Sequence, residues 1–554
     1  MERSLPEPPG SGAAPQTAGD AKRSDRWLLL ILLVLALLLG RGITRGEIYF
    51  FNDETRHVMN GVFVRDLLAD RAFSDPIQYA FQYYAKYPAT ALPHWPPLFP
   101  LLEGLLFGLV GIHVWAARLL VLGFALMAAY YWYRIAEREG PRHLALLSTL
   151  IFPLLPLLQL YSSVVMLEIP LLGLSLGAIY YWRRFQEEMR SRHLWLLALF
   201  TVASFLTSQK AIFLFFFVVI SLLLRGPYRL LLRWDVWAAL VASLSVVVPW
   251  YLFSFRVLSV GADRVIGLGV SQFAAHLWWQ LSFYPELVPR QLGWPLAILA
   301  AAGLGWALLC APRRHGFLLI WIASCYLCFT LIWEKDIRHS MAWIPPLVYF
   351  ALAAVDILFA RRRWSLLAAG ALAVVTAVGS LQFERPYMEG VAEAARFILS
   401  KPETDVIYYQ GALNGSFIYS VRQLDPEKRR VVARSKLVLA TRIQYAKQAI
   451  VTTPEGVIDM FRRWGIRYLA VENRETISEL AVVNRALATG PFELAGIFPI
   501  RTTDPGLTGR KILVYRFTGE LITDSEPVAI PMMTLRNGAI RVNLKNLAGQ
   551  PWPR

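Results

Sequence analysis

The sequence predicts an α-helical polytopic membrane protein with about eleven spans, followed by a C-terminal extracytoplasmic α/β domain. Three observations support this fold class. The 554-residue chain is 56% hydrophobic and only 17% charged, whereas soluble domains carry about one quarter charged residues. Its apolar residues form blocks long enough to cross a bilayer, which takes about 20 residues of helix. Beyond residue 384 these blocks cease, and strand-like runs alternate with helical ones.

The N-terminal segment, residues 1–26, is rich in Pro, Gly, Ala and Ser, and we expect it to be disordered and cytoplasmic. Lys22, Arg23 and Arg26 stand directly before the first apolar block, and the positive-inside rule keeps such residues in the cytoplasm. The first span then leads to an outer loop, residues 41–97. This loop holds six basic and six acidic residues, so it shows no cytoplasmic bias.

Arginine-rich loops between the later apolar blocks explain the net charge of +17 and argue against nucleic-acid binding. Because residue 53 is predicted outside and the basic loop that begins near residue 134 is predicted in the cytoplasm, an odd number of spans must separate them. The apolar stretch at 96–112 is short, opens with Pro-Pro and holds Glu103, so it is interpreted as a re-entrant or interfacial helix. The remaining spans are predicted at roughly 115–134, 144–162, 168–183, 194–208, 211–225, 236–253, 294–312, 316–333, 341–360 and 364–381.

The C-terminal unit, residues 386–554, is predicted to be an α/β domain over about 386–520 with a tail that shows no clear period. An odd number of spans places it outside. Its strands are predicted at Asp405–Tyr409, Arg467–Val471 and Lys511–Phe517, and its helices at Val391–Leu399, Pro454–Trp464 and Ile477–Ala488.

Charged residues beside spans are costly, at roughly 2.5–3.5 kcal/mol each near mid-helix, so their placement is informative. The predicted topology gathers nine of them at the outer face: Asp53, Glu54, Glu168, Lys210, Glu334, Lys335, Asp336, Arg338 and His339. Their convergence predicts a site for an anionic substrate. Several also have a structural alternative: a surface acid pair for Asp53 and Glu54, a helix N-terminal acid for Glu168, a tight outer turn for Lys210, and an interfacial anchor for Arg338.

Five short motifs carry a further resemblance. They are Asn52-Asp53-Glu54-Thr55-Arg56, His94-Trp95-Pro96-Pro97-Leu98, Leu167-Glu168-Ile169-Pro170, Ser208-Gln209-Lys210-Ala211, and Arg338-His339-Ser340-Met341 running into Pro345-Pro346. Their order and spacing resemble the GT-C class of membrane glycosyltransferases, in particular the group of protein O-mannosyltransferases and the lipid A aminoarabinose transferase. The resemblance covers about residues 27–381 and is strongest over the first 225.

The resemblance implies a GT-C-like transmembrane catalytic module over residues 27–385. It also implies inverting transfer of a sugar from a polyprenyl-phosphate donor to a protein, lipid or glycan acceptor, outside the cell membrane. Asp53 would be the general base, because a carboxylate can take the proton of the acceptor hydroxyl. The other assigned residues are Glu54 and Glu168 in the catalytic group, Lys210, Arg338 and His339 at the donor phosphate, and His94, Trp95 and Lys335 in the substrate groove.

Two other classes stay open at this stage. A transporter or lipid flippase would also place charges among spans, but such proteins commonly show internal repeats, and none is evident. A non-catalytic scaffold would not need acids and bases on one face. The resemblance favours no cofactor, although Asp53, Glu54 and Glu168 could form a site for a divalent cation. The sugar and the acceptor stay open.

Overall fold

The computed structural model describes residues 18–48, 51–226, 228–257, 276–359, 362–441, 447–474, 478–522, 527–531 and 539–548. Its N-terminal part is helical. The helices are α1 (Ala18–Gly40), α2 (Phe51–Ala69), α3 (Pro76–Lys86), α4 (Leu98–Val110), α5 (Val114–Ala136), α6 (Arg142–Ile151), α7 (Pro156–Ser163), α8 (Glu168–Glu188), α9 (Ser191–Phe205), α10 (Ile212–Arg225), α11 (Trp234–Val257), α12 (Leu277–Leu292), α13 (Trp294–Cys310), α14 (Pro312–Leu331), α15 (Ile344–Leu358) and α16 (Arg362–Gln382).

The first helix starts earlier than the sequence suggested. Helix α1 begins at Ala18, so residues 18–26, which we expected to be disordered, continue the helix of the first apolar block. Residues 1–17 lie outside the described part of the chain.

Five helices within the described ranges are long and apolar enough to cross a membrane: α5, α11, α14, α16, and α15 together with the turn at His339–Trp343. Helices α6 and α7 together would make a sixth, but the chain bends by 60° between them. Pro153 and Pro156 flank this bend, and a proline removes a backbone donor and disfavours a continuous helix. The protein is therefore a multi-pass membrane protein, while the total of about eleven spans stays a prediction.

Helix α4, which corresponds to the predicted re-entrant stretch, is apolar but has only 13 residues. It packs closely on α2, where Gly61 faces the side chain of Glu103. The space beside Gly61 would not hold a Cβ, since that atom would lie 2.6 Å from Cβ of Glu103. The segment between α1 and α4 is thus packed on the apolar helix α4 through a close α2–α4 contact.

The C-terminal part holds a five-stranded sheet in the order β3-β2-β6-β9-β7. Strands β2, β3 and β6 run parallel, whereas β9 is antiparallel to both β6 and β7. The elements of this part are β1 (Met388–Glu389), α17 (Val391–Leu399), β2 (Val406–Gln410), α18 (Asn414–Leu424), β3 (Val431–Arg434), β4 (Leu439–Thr441), β5 (Lys447–Ala449), α19 (Pro454–Arg463), β6 (Ile466–Glu472), α20 (Ala481–Thr489), β7 (Phe492–Pro499), β8 (Arg501–Thr502), β9 (Lys511–Phe517), β10 (Val528–Pro531), β11 (Ala539–Val542) and α21 (Leu544–Leu547).

Both faces of this sheet are covered, as expected of parallel strands joined by helices. Along β2, Ile407 and Tyr409 point to the face of α17 and α18, while Val406 and Tyr408 belong to the core on the opposite face. That second core includes Tyr84 and Ala85 from α3, which are far away in the sequence. The sheet therefore takes part of its core from the outer segment that precedes α4.

A buried ion pair joins α2 to α18. The Nε and Nη2 atoms of Arg422 donate to the two carboxylate oxygens of Asp66 at 2.9 and 2.7 Å. The side chains are 1% and 0% exposed, and the Tyr83 hydroxyl donates to the same carboxylate at 2.8 Å. The C-terminal domain is thus fixed to the helix whose first turn carries Asp53 and Glu54.

Candidate active site

Asp53 and Glu54 occupy the first turn of α2, where the helix dipole stabilises negative charge. Successive side chains of a helix point in different directions, and these two acids do so. Glu54 is buried and accepts a hydrogen bond from the backbone N–H of Val165 at 2.9 Å, just before α8 begins. Asp53 is partly exposed. One of its carboxylate oxygens lies 3.3 Å from Nη1 of Arg56, and the other lies 3.9 Å from Nη1 of Arg338.

Glu168 connects the two predicted phosphate-binding cations. It is the first residue of α8 and is buried, and its Oε1 accepts from Nζ of Lys210 at 2.8 Å. The same oxygen lies 3.7 Å from Nε of Arg338. Lys210 is held in a short 3-10 turn in which the Ser208 hydroxyl accepts from its backbone N–H. Asp53, Glu168, Lys210 and Arg338, predicted from four separate motifs, therefore form one cluster.

Arg338 is surrounded by carboxylates, since its Nε also lies 3.0 Å from Asp336. Burial acts to lower the pKa of this guanidinium, but Glu168 and Asp336 outweigh burial and hold the pKa above its ordinary value. Arg338 therefore stays cationic at this position and can meet an anion.

His339 begins the turn that leads into α15 and is close to the same cluster. Its Nδ1 lies 3.5 Å from the Tyr284 hydroxyl, and its ring packs against Phe329. Together with Glu168, Lys210 and Arg338, it lines a small cavity of about 20 Å³, the room for one water-sized group. His339 therefore lines the same small cavity as Lys210 and Arg338.

Lys335 does not join this group. Its ammonium donates to the backbone carbonyls of Phe329 and Thr330 at 2.7 and 2.8 Å and lies 5.2 Å from the centre of the Tyr284 ring. Burial lowers its pKa to about 8. Lys335 thus caps the last carbonyls of α14, and neither cavity described here has it among its lining residues. Its place in the substrate groove stays a prediction.

His94 and Trp95 flank the cluster on another side. The Trp95 ring lies 4.9 Å from the His94 ring, and the Gln209 side chain donates to the His94 carbonyl at 2.9 Å. The second predicted motif is thereby tied to the turn that carries Lys210. Neither side chain lines the two cavities described here, so their role in a groove stays a prediction.

His57 belongs to this neighbourhood, although the sequence did not single it out. It is buried one turn after Asp53 on α2, and its ring centre lies 4.3 Å from that of Trp95. Burial lowers its pKa to about 4, so the imidazole is neutral near pH 7. Its Nδ1 has no hydrogen-bond partner among the described residues. The four-residue spacing from Asp53 is the signal that could have identified it.

A wide cleft of about 810 Å³ opens on the other side of Asp53, between α2 and the C-terminal domain. One wall includes Asp53, Thr55 and Arg56 of α2. The opposite wall comes from residues 412–416, where α18 begins, and from the turn at residues 503–507. Asp53 lines this cleft and lies 3.9 Å from Arg338, which lines the small cavity, so it stands between the two spaces.

The three acids considered for a divalent cation, Asp53, Glu54 and Glu168, have other partners in this structure. No group of three or more His, Cys, Asp or Glu side chains suited to a metal ion occurs within the described ranges. Glu54 points to the Val165 backbone, while Glu168 pairs with Lys210. A requirement for a cation in catalysis stays an open prediction.

Comparisons with known proteins bear on the family and the fold of the chain. Residues 84–263 match the family model of dolichyl-phosphate-mannose-protein mannosyltransferases. No curated protein matches the chain in sequence. Among solved structures, ArnT from Cupriavidus metallidurans, bound to undecaprenyl phosphate, superposes with a TM-score of 0.58 at 14% identity. The match covers 92% of this chain and 100% of that chain.

Two other structures share the fold. The oligosaccharyltransferase AglB from Archaeoglobus fulgidus, in complex with an inhibitory peptide and a dolichol-phosphate, has a TM-score of 0.52 at 11% identity, over 96% of this chain and 78% of that one. The arabinofuranosyltransferase AftD from Mycobacteria has a TM-score of 0.52 at 17% identity, over 91% of this chain and 42% of that one. The resemblance predicted from the motifs is thus confirmed, and the chain has the fold of GT-C membrane glycosyltransferases.

Proposed function

We propose that this protein is a glycosyltransferase. It moves a monosaccharide from a polyprenyl-phosphate donor to a hydroxyl-bearing acceptor on the extracytoplasmic side of the membrane, with inversion at the anomeric carbon. The observation that carries the proposal is the cluster of Asp53 with Lys210 and Arg338, in which a carboxylate and two cations meet where the small cavity and the cleft adjoin.

The donor phosphate would bind at Lys210 and Arg338. Both are cations at the small cavity, and both contact the buried Glu168 carboxylate, which positions them without a ligand. An arginine fork suits phosphate oxygens, and a lysine adds a compact charge. As the bond between the anomeric carbon and the phosphate oxygen breaks, its electron pair moves to the phosphate, and these cations stabilise the added charge.

The acceptor would approach from the cleft. Its hydroxyl oxygen forms the new bond to the anomeric carbon while Asp53 takes the hydroxyl proton, so charge and atoms balance. Attack from the cleft side, opposite the departing phosphate, gives the inverted product. No general acid is needed, because phosphate leaves as a stable anion.

A transporter or lipid flippase is not favoured. The chain has the fold of GT-C glycosyltransferases, and the clustered charges lie next to a cleft bounded by a folded α/β domain. A transporter would more commonly hold its charges at the middle of the membrane between repeated units.

The test is transfer of a radiolabelled sugar from a polyprenyl-phosphate donor by the purified protein, compared for Arg338→Ala and Arg338→Lys. Loss of one hydrogen bond to a charged group costs roughly 1.5–3 kcal/mol, so Arg338→Ala should lower donor use by about ten- to a hundred-fold. Arg338→Lys should restore it only in part, because an ammonium lacks the planar fork. Arg290→Ala, an exposed arginine at the end of α12, is the matched control and should leave transfer unchanged.

Wild-type turnover by purified Arg338→Lys would contradict a role at the donor phosphate. If Arg338 only anchors the helix at the interface, Ala should reduce the protein yield without lowering the specific activity. Absence of donor-dependent transfer by the wild-type protein, with the donor unconsumed, would refute the function as a whole.

A further inference from the structure

The wide cleft carries a charge pattern that bears on the acceptor, an inference that rests on the proposed function. Among the described residues, its lining includes three carboxylates, Asp53, Glu384 and Asp504, and one cation, Arg56. Arg56 lies 3.3 Å from Asp53, and Arg338 lies 3.9 Å from the other oxygen of the same carboxylate. Asp53 is therefore balanced by neighbouring cations, and the charges of Glu384 and Asp504 dominate the rest of the cleft.

Four arginines close in sequence to these segments, or in the elements beside them, have other partners. Arg385 donates to the carbonyls of Leu38 and Leu39, and Arg41 donates to the Ser380 carbonyl. Arg501 pairs with Glu393, and Arg510 pairs with the buried Glu472. None of these four arginines is among the residues that line the cleft.

Asp504 is itself fixed in place. It begins a short turn at Pro505–Leu507, where its Oδ1 accepts from the backbone N–H of Gly506 at 2.7 Å, which leaves its second carboxylate oxygen for other donors. Glu384 lies on the exposed linker that follows α16. Carboxylates thus line the cleft on two walls. The side chains of Thr55, Ser416 and Thr503 add hydroxyl groups to the same lining.

We propose that the acceptor held in this cleft is an uncharged saccharide, and that Glu384 and Asp504 exclude phosphorylated or otherwise anionic acceptors. A carboxylate only accepts hydrogen bonds, and its two oxygens match the pair of donors that neighbouring sugar hydroxyls present. An anion placed beside these carboxylates is repelled, and in a partly enclosed cleft this repulsion is screened less than at an open surface.

The experiment compares two acceptors that differ in one group, a neutral oligosaccharide and the same oligosaccharide carrying one phosphate, with the same labelled polyprenyl-phosphate donor. The wild-type protein should use the neutral acceptor and discriminate against the phosphorylated one. Glu384→Gln and Asp504→Asn keep the shape of the side chain and remove its charge. Each should raise the relative kcat/KM for the phosphorylated acceptor by about five- to ten-fold, the size of one charge interaction at a solvent-accessible site.

Glu455→Gln is the matched control. Glu455 is an exposed acid of the same domain, in the first turn of α19, and is not among the residues that line the cleft, so the acceptor ratio should stay at the wild-type value. Melting temperatures of the variants verify that each one is folded.

Three results would overturn the proposal. They are equal use of both acceptors by the wild type, an unchanged ratio of phosphorylated to neutral acceptor use in the double variant Glu384→Gln, Asp504→Asn, and transfer only to serine- or threonine-containing peptides. These results leave donor-dependent transfer intact, so they are distinct from a failure of the proposed function. If the proposed function itself were wrong, the wild-type protein would consume no donor with any acceptor.

Discussion

The buried pair of Arg422 and Asp66 offers the sharpest test of how the C-terminal domain is held on the outer segment. We consider the substitution Arg422→Met, which keeps an unbranched side chain and removes the charge. In the native protein Arg422 makes two hydrogen bonds to Asp66 and one to the Asp425 carbonyl. After the substitution, the partners that Asp66 keeps among the described residues are the Tyr83 hydroxyl and the guanidinium of Arg65, whose side chain is 32% exposed.

The expected cost follows from burial. Removing one partner of a buried ion pair typically costs about 3–5 kcal/mol, because the other charge is left uncompensated. Tyr83 and Arg65 still donate to Asp66, so we expect a value near the lower end, about 3 kcal/mol. The double variant Asp66→Asn, Arg422→Met should lose clearly less than the single one, because no buried charge stays behind.

The measurement is hydrogen exchange of the α18 amides in the purified, intact protein, since exchange reports the free energy of local opening. Arg463→Met is the matched control. Its partner Asp459 lies at 2.8 Å, but the two side chains are 49% and 46% exposed, and such surface pairs contribute less than about 1 kcal/mol. If Arg422→Met changes α18 protection by no more than the control does, or the double variant is worse than the single one, the reasoning is refuted.

Two further predictions concern the site and its orientation. Asp53→Asn should lower sugar transfer by about 10²- to 10⁴-fold while donor binding is preserved, because the change removes a base but little volume; more than half of the wild-type rate in a transfer assay would eliminate Asp53 as the base. In a Cys310→Ala background, an impermeant thiol reagent applied from outside should label Ser400→Cys and not Arg313→Cys, both exposed positions; the reverse labelling would invert the topology and move the site to the cytoplasm.

The features that could be predicted from the sequence alone are those that local residue patterns determine. The runs at Asp405–Tyr409, Arg467–Val471 and Lys511–Phe517 correspond to β2, β6 and β9, because strand periodicity and β-branched content are local properties. The charged motifs could be placed together because the positive-inside rule assigns each loop to a side. The predicted topology therefore places Asp53, Glu168, Lys210 and Arg338 at the same face of the membrane.

What the sequence could not predict depends on contacts between distant residues. Arg422 and Asp66 are 356 positions apart, and neither residue carries a local sign of its partner. Helix α12 was missed because its two internal prolines and polar residues break the apolar run. The contact of the Lys335 ammonium with the last carbonyls of α14 was also not predicted, because it depends on where that helix ends.

The contribution of α3 to the sheet core has a consequence for how this chain is made. Tyr84 is synthesised early, whereas Lys436, whose ammonium donates to the Tyr84 hydroxyl at 2.7 Å, follows 352 residues later. Until then the face of α3 that carries Tyr84 and Ala85 lacks the sheet core that it joins, and closing so long a loop is slow because few conformations bring its ends together. Translation arrest or truncation between these positions should therefore leave this face of α3 exposed, where quality-control proteases would detect it. Folding of α3 is therefore completed only after the C-terminal domain has been synthesised.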